Sequence, residues 1–513
     1  MKNVSSVFWY ALIICVVLVV WGAAAPEHLQ SLSSNVTTYI SEVFGWYYLL
    51  IIMLLLTFCI YLIFSRFGKI KLGKDDDQPE FSLASWFAML FSAGMGIGLV
   101  FWTTAEPISH AFISPPGAEA GSNEAIRQSL QYSFFHWGVH AWAVYGVVAL
   151  ALAYFKFRKG LPGLISATLI PIFGEKNMRG KAGTIIDTLA IFATIVGVAS
   201  TLGFGSAQIN AGLAYLFHTP NNFGMQLLIL AIATGLFIFS AWSGIGKGIK
   251  YLSNANMGLG FVLLLMLFIV GPTLYILNMF TSTLGSYIAN FFDMSFRISP
   301  LNESGRTWID NWTIFYWAWW ISWAPFVGIF IARISKGRTV KEFLLGVLFV
   351  PAFVCFIFFA VFGVSALNIE QNGIDTISSY SLETTTFGVL QNYPIGELMS
   401  LITIVVIAVF FITSADSATF VLGMLSTGGS INPANSVKIV WGVAMSAMAA
   451  IIVYFGGIQG LQNMLIIAAL PFSIVILLMG SSFYKAANQD VEKRTKRKDR
   501  KKNIEKKVTR EVS

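Results

Sequence analysis

The chain has 513 residues, of which 56% are hydrophobic and 11% charged, with mean hydropathy +0.71 and a formal net charge of +8. A soluble chain of this size carries roughly 25% charged residues, and here apolar runs of about 20 residues recur along the sequence, each long enough to cross a hydrocarbon core. These bounds exclude a soluble enzyme or binding domain and point to an all-α polytopic membrane protein.

Twelve membrane helices are expected, near 8–25, 45–65, 84–109, 125–155, 183–217, 223–242, 251–281, 311–333, 341–366, 395–427, 437–455 and 461–484. The first run lacks a strongly basic flank, so it reads as a retained helix rather than a cleaved signal. Cys15, Cys59 and Cys355 lie inside apolar runs with no metal-ligand spacing and read as buried thiols. The link from Arg66 to Glu80 carries basic and acidic groups and is expected to be a solvated loop.

The third helix carries Ser92-Ala93-Gly94-Met95-Gly96-Ile97-Gly98 and closes on Glu106-Pro107. Glycine is a poor helix former. Glycines two apart do not share a helix face, so tight packing explains them only in part. The other reading is an unwound segment, which at membrane depth must line a cavity or be buried in protein. In the fourth helix Trp142 and Tyr145 share a face, whereas Trp137 is offset by about 140° on an ideal helix. His136 and His140 have i, i+4 spacing but no third ligand, and read as hydrogen-bonded structural residues. The fifth helix holds Asp187, Thr194, Ser200 and Thr201, with Asp187 close to the inner loop. Residues 283–297 read as a helix lying in the outer interface.

Trp312 to Trp323 in the eighth helix contains five of the 15 tryptophans, with Pro325 just beyond. Such rings form an interfacial belt or line a cavity that attracts cations lacking hydrogen-bond donors. The tenth helix carries Phe410, Thr413, Ser414 and Asp416. Its hydroxyls can bond to their own helix or offer oxygen to a small hard cation.

Alternating the loops places 30 of the 33 Lys and Arg on the side of both termini, leaving Arg127, Arg297 and Arg306 opposite. The positive-inside rule then makes both termini cytoplasmic. Residues 493–510 hold 11 basic and two acidic residues, a tail suited to anionic lipid rather than to nucleic acid. Breaks in the third and eighth helices, each opening a five-helix block, suggest inverted repeats with a site at their interface. The expected units are residues 1–83 with two peripheral helices, 84–281 and 311–486 as the two repeats, 282–310 as the linker and 487–513 as the tail.

Gly94-Met-Gly-Ile-Gly98 with Glu106-Pro107, Trp137 with Trp142 and Tyr145, Phe315 to Trp323 with Pro325-Phe326, and Thr413-Ser-Ala-Asp416 together resemble the betaine/choline/carnitine transporter family, most closely its bacterial sodium-coupled glycine betaine carriers. The resemblance spans nearly the whole chain. It implies a LeuT-like core of two inverted five-helix repeats behind two extra helices, a homotrimer, and a bacterial inner-membrane location. It places a trimethylammonium group among Trp137, Trp142, Tyr145 and Trp320, with Trp319 and Trp323 closing the path. The substrate carboxylate would face backbone around Gly94, Gly96 and Gly98. One sodium would take Ser92, Met95, Phe410, Thr413 and Ser414, and a second would sit near Thr194, Met95 and Phe326. Val198 stands where the family pattern can supply a further hydroxyl to that second site, which leaves its ligands open.

Choline-type relatives tend to carry an acidic residue at the end of the glycine stretch, so Gly98 suits a zwitterion. The expected activity is sodium-coupled import of glycine betaine or a similar compatible solute for osmoprotection, with no organic cofactor and no nucleic-acid partner. The alternative within the family is a choline or carnitine carrier, proton-coupled or antiporting. A channel would need a continuous polar pore, and an enzyme a nucleophile, metal cluster or acid–base set, neither of which the sequence offers.

Overall fold

A computed structural model describes residues 4–94, 96–243 and 246–512, giving the backbone alone at 91–94, 241, 243, 246–250, 494–495 and 497–512. The chain is built from helices. The first two are α1 (Ser6–Ala24) and α2 (Pro26–Phe64). The next four are α3 (Leu83–Gly94), α4 (Ile97–Ile108), α5 (Asn123–Trp137) and α6 (Val139–Ala153). Two single turns follow on the next link, α7 (Ile170–Phe173) and α8 (Glu175–Met178). Then come α9 (Lys181–Phe217), α10 (Phe223–Ser243), α11 (Gly246–Val270), α12 (Thr273–Ala289) and α13 (Phe291–Phe296). The second half holds α14 (Glu303–Ile309), α15 (Phe315–Ile334), α16 (Val340–Phe358), α17 (Val364–Gln371), α18 (Thr385–Gln391), α19 (Gly396–Ser426) and α20 (Asn435–Val512).

Among the described residues, 10 helices are long and apolar enough to cross a membrane. Two spans expected from the sequence do not stand as separate helices in that set. The third is split into α3 and α4, 12 residues each. The eleventh and twelfth run together as α20, kinked at Gly457, whose φ of 52° and ψ of −141° only glycine adopts readily.

Burial sorts the helices. The most apolar stretch of the α5–α6 segment is 94% buried and that of α15 is 89% buried, against 28% in α1 and 17% in α10. The former are therefore central and the latter face outward. α9 runs through the middle, packing on α20, α19 and α15, while α6 lies between α15 and α16.

Several expected boundaries move. α2 begins at Pro26, not near 45, because a proline at the first helical position with Glu27 beside it starts a helix well. The fourth helix is broken at Gly138 into α5 and α6. The seventh ends at Val270, before Gly271-Pro272, and the chain resumes as α12 and α13. A residue before proline leaves the helical region, so the division falls there and the expected boundary after 281 lies inside α12. The eighth helix is not interrupted at Pro325: α15 runs through it, and the irregularity is a π turn at Asp310–Ile314 at its N-terminal end. A π turn also follows Pro107, at Ser109–Ile113, so the third helix continues past its expected end. The link expected to be a solvated loop is docked in its first half and largely exposed from Lys74 to Glu80. Ile70 and Leu72 are buried, and the Leu72 N–H donates to the Arg338 carbonyl at 2.8 Å while the Val340 N–H donates to the Ile70 carbonyl at 2.8 Å.

Candidate functional site

Two helix breaks meet at one point. Gly96 is extended between α3 and α4, leaving the first N–H groups of α4 outside the helix ladder. Gly138 separates α5 from α6 with φ −86° and ψ −154°. A methyl group at Gly138 would lie 2.5 Å from the Phe134 carbonyl oxygen and 2.9 Å from the Tyr287 hydroxyl, so the bend depends on glycine. The bend also answers the offset of Trp137. Its ring packs edge-on to Trp320, 4.9 Å between centroids, and to Trp319 at 6.0 Å.

A cavity of about 20 Å³, room for about one water, is lined by Gly96, Gly98, Leu99, Trp137, Tyr145, Thr201, Trp319, Trp320 and Trp323. Three of the four tryptophans of α15 are therefore cavity walls rather than an interfacial belt, while Trp317 packs on Phe135 and His140. Trp319 and Trp320 lie parallel at 5.4 Å, and Tyr145 meets Trp320 edge-on at 6.1 Å. Three of the rings are fixed by their polar edges, whereas the buried Trp319 Nε1 has no hydrogen-bond partner among the described residues. The Trp320 N–H donates to the His136 carbonyl at 2.9 Å, the Trp323 N–H to the Gly197 carbonyl at 2.8 Å, and the Trp137 N–H to Glu106 Oε2 at 3.0 Å. Aromatic faces thus remain for the cavity. Gly98 is required for closeness: a Cβ there would stand 2.6 Å from Trp319 Cη2.

Trp142 lies outside this lining, edge-on to Tyr145 at 5.5 Å. Leu99 and Thr201 line the cavity without having been singled out for it. Thr201 lies two turns beyond Thr194 on α9, a register that could have flagged it. Sequence reasoning also passed over the back wall. Glu106, treated only as a helix end, is fully buried and accepts from Tyr316 O–H at 2.5 Å and from His136 Nδ1 at 2.7 Å, with His110 Nε2 at 3.3 Å. A buried carboxylate at membrane depth was itself the missed signal. Glu106, His110 and His136 offer ligand-type atoms within 4.8 Å of one another, and their spacing is also that of the hydrogen bonds just given. The two histidines of α5 and α6 are both bonded, His136 also to Thr313 at 3.0 Å and His140 to Ser295 at 2.9 Å.

Of the expected cation ligands, Met95 lies outside the described residues, as does the side chain of Ser92; the backbones of Ser92 and of Gly94, expected to face the substrate carboxylate, are in the last turn of α3. Phe410 and Thr413 are buried on α19, and the Thr413 hydroxyl donates to the Val409 carbonyl at 2.9 Å, which leaves its oxygen lone pairs as acceptors. Ser414 is half-buried beside it. The first turn of α4 approaches this part of α19 across Gly205, where a Cβ would meet Ile97 at 2.7 Å and Phe411 at 3.1 Å. Thr194 donates to the Ala190 carbonyl at 2.8 Å, and Phe326 packs edge-on to Trp323 at 5.5 Å. Asp187 is no cavity group. It accepts from Ser166 N–H at 2.9 Å and Ser166 O–H at 2.6 Å and ties α9 to the link between α6 and α9.

The model of the betaine/carnitine/choline family of transporters matches residues 6–492. The glycine betaine transporter OpuD of Bacillus subtilis is 57% identical over 96% of both chains. A probable glycine betaine transporter of Desulfitobacterium hafniense is 41% identical, covering 95% of this chain and 98% of its own. An ectoine/hydroxyectoine transporter of Virgibacillus pantothenticus is also 41% identical, covering 95% and 97%. With a family match from end to end, a set of membrane-length helices and an aromatic cavity at two helix breaks, the chain is a multi-pass membrane protein that belongs to the betaine/carnitine/choline transporter family.

Proposed function

We propose that this protein imports glycine betaine, or a closely similar compatible solute, with sodium. The observation that carries the substrate class is the cavity walled by Trp137, Tyr145, Trp319, Trp320 and Trp323. A trimethylammonium group has no N–H to donate, so hydrogen-bond acceptors give it little, whereas aromatic faces attract it by about 0.5–2 kcal/mol per well-placed ring. The carboxylate end is assigned to the first turn of α4 around Gly96 and Gly98, where free N–H groups and the helix dipole favour an anion. The relatives named for glycine betaine transport support the same substrate.

Sodium is assigned to oxygens of Ser92, Met95, Phe410, Thr413 and Ser414, and a second ion to the region of Thr194, Met95 and Phe326. Hydroxyl and carbonyl oxygens suit a hard cation. Ordering the α3–α4 break against α19 would link ion occupancy to the aromatic cavity. In this reading the α3–α4 pair is one span and α20 two, giving twelve spans with a LeuT-like repeat core, both termini in the cytoplasm of a bacterium and a homotrimeric assembly. Because the cavity has room for only about one water, the reading requires the rings of α5 and α15 to part when substrate binds, a step of alternating access.

Uptake of labelled glycine betaine into proteoliposomes, with and without an inward sodium gradient and in competition with choline, carnitine and ectoine, tests this reading. Sodium-dependent uptake that resists choline is expected. Uptake driven by internal substrate without sodium would overturn the coupling, and preferential uptake of ectoine would overturn the substrate.

A further inference from the structure

Behind the cavity stands a group that the proposed function does not use. The Glu106 carboxylate is fully buried and holds four donors from three parts of the fold: Trp137 from α5 at 3.0 Å, Tyr316 from α15 at 2.5 Å, His136 at 2.7 Å and His110 at 3.3 Å. A carboxylate offers about four lone-pair sites, so four donors fill it. The indole N–H can only donate, which makes Oε2 an acceptor. The imidazoles fit the same pattern. With its proton on Nδ1, His136 donates to Glu106 and accepts from the Thr313 hydroxyl at Nε2, 3.0 Å away. This is the bonding of an anion, because each contact is satisfied with all partners donating and an unpaired buried charge is avoided.

One donor is itself a wall of the cage, and two others brace its neighbours. Trp137 lines the cavity directly. Tyr316 stacks on Trp319 and Trp320, at 6.1 and 6.0 Å with 20° between planes. His136 stacks on Tyr316 at 4.6 Å, and its carbonyl receives the Trp320 N–H. One carboxylate therefore fixes three walls from behind and sits an indole's width from the space they enclose. Charge in a dry interior acts over such a distance, and it adds to the attraction of the ring faces for a cation.

We infer that Glu106 is a buried counter-charge and positioning residue for the quaternary ammonium end of the substrate, acting through the hydrogen-bonded Trp137 and Tyr316. This rests on the reading of the cavity as a glycine betaine site, and the two can fail separately. The test compares two ligands of equal shape, glycine betaine and 3,3-dimethylbutanoate, in which a carbon replaces the charged nitrogen. Binding to the purified full-length protein is followed by intrinsic tryptophan fluorescence.

Glu106→Gln is expected to weaken glycine betaine by about tenfold and to move 3,3-dimethylbutanoate, which keeps the carboxylate but lacks the ammonium charge, by less than about twofold. Equal weakening of both ligands would mean that Glu106 only shapes the cavity, and no change in either would mean that it does neither; both results overturn the inference while leaving the substrate assignment intact. A wild-type protein that binds neither ligand would overturn the substrate assignment itself. If Glu106→Gln does not fold, infrared spectra of wild-type protein carrying 13C-labelled glutamate decide the question, because Glu106 is the one fully buried glutamate among the described residues. The inference requires no exchange-resistant protonated carboxyl band from labelled glutamate, with or without glycine betaine, and such a band would contradict it.

Discussion

Gly98 and Gly197 show how single atoms shape the cavity. A Cβ at Gly98 would press on Trp319 at 2.6 Å, and one at Gly197 on Trp323 Cδ1 at 2.8 Å. Gly98→Ala is expected to displace the Trp319 ring and cost about 1–3 kcal/mol of packing, read as a lowered thermal midpoint and reduced uptake. Unchanged uptake would mean that Trp319 is not held in place for transport. Part of this was legible beforehand: the glycine spacing and the tryptophan density mark the walls. What each ring rests on was not. Trp137 faces the cavity only because Gly138 bends the chain, whereas Trp142, on the same face as Tyr145 by helical spacing, packs on Tyr145 outside the lining. Helical periodicity assumes a continuous helix, and it misplaces residues wherever the helix is broken.

The breaks themselves belong to the elements. Gly138→Ala would place a methyl 2.5 Å from the Phe134 carbonyl oxygen, and is expected to lower stability by about 1–3 kcal/mol and to abolish transport in whatever protein reaches the membrane. Gly457→Ala makes a useful contrast, since nothing lies within 4 Å of its Cβ and only its positive φ of 52° opposes the substitution. A smaller loss of about 1–2 kcal/mol is expected, with uptake largely kept; a loss as large as that of Gly138→Ala would show that the α20 kink is more than a turn. Hydropathy located the apolar stretches well. It missed the polar first half of α2, because helix formation depends on caps and neighbours as well as on apolar length. It also mistook Pro325 for a break, because a helix packed on all sides can continue past a missing N–H through local adjustment.

For the molecule as a whole, the charge segregation read from the loops has a structural counterpart at one end of the fold. The start of the basic tail is clasped to the C-terminal end of α6: Asp490 accepts from Arg158 Nε at 2.8 Å and Tyr154 O–H at 2.8 Å and pairs with Lys159, while Arg66 reaches Asn488. Asp490→Asn is expected to cost about 1.5–3 kcal/mol, seen as earlier proteolysis of the tail. Equal protease resistance in the variant would show that packing alone seats the tail. Removing the tail after Glu492 keeps this clasp, whereas truncation after Tyr484 would remove it together with the basic segment. A role of the basic segment at an anionic lipid surface is therefore tested by the longer form.

Class, helix boundaries to within a turn in most cases, and the main cavity walls were readable from patterning. The Glu106 cluster was not, because its partners lie 4, 30, 31 and 210 positions away along the chain and meet only once α4, α5 and α15 are packed.

The central claim is that the aromatic cavity holds a quaternary ammonium group. Equilibrium binding of labelled glycine betaine to detergent-purified wild type and Trp320→Leu tests it most directly, because Trp320 meets both Trp137 and Tyr145 in the lining. Loss of roughly 2 kcal/mol of cation–π attraction predicts binding weakened by at least about tenfold in a variant that is still folded and inserted in the membrane. Wild-type affinity in that variant would contradict the assignment of the cavity.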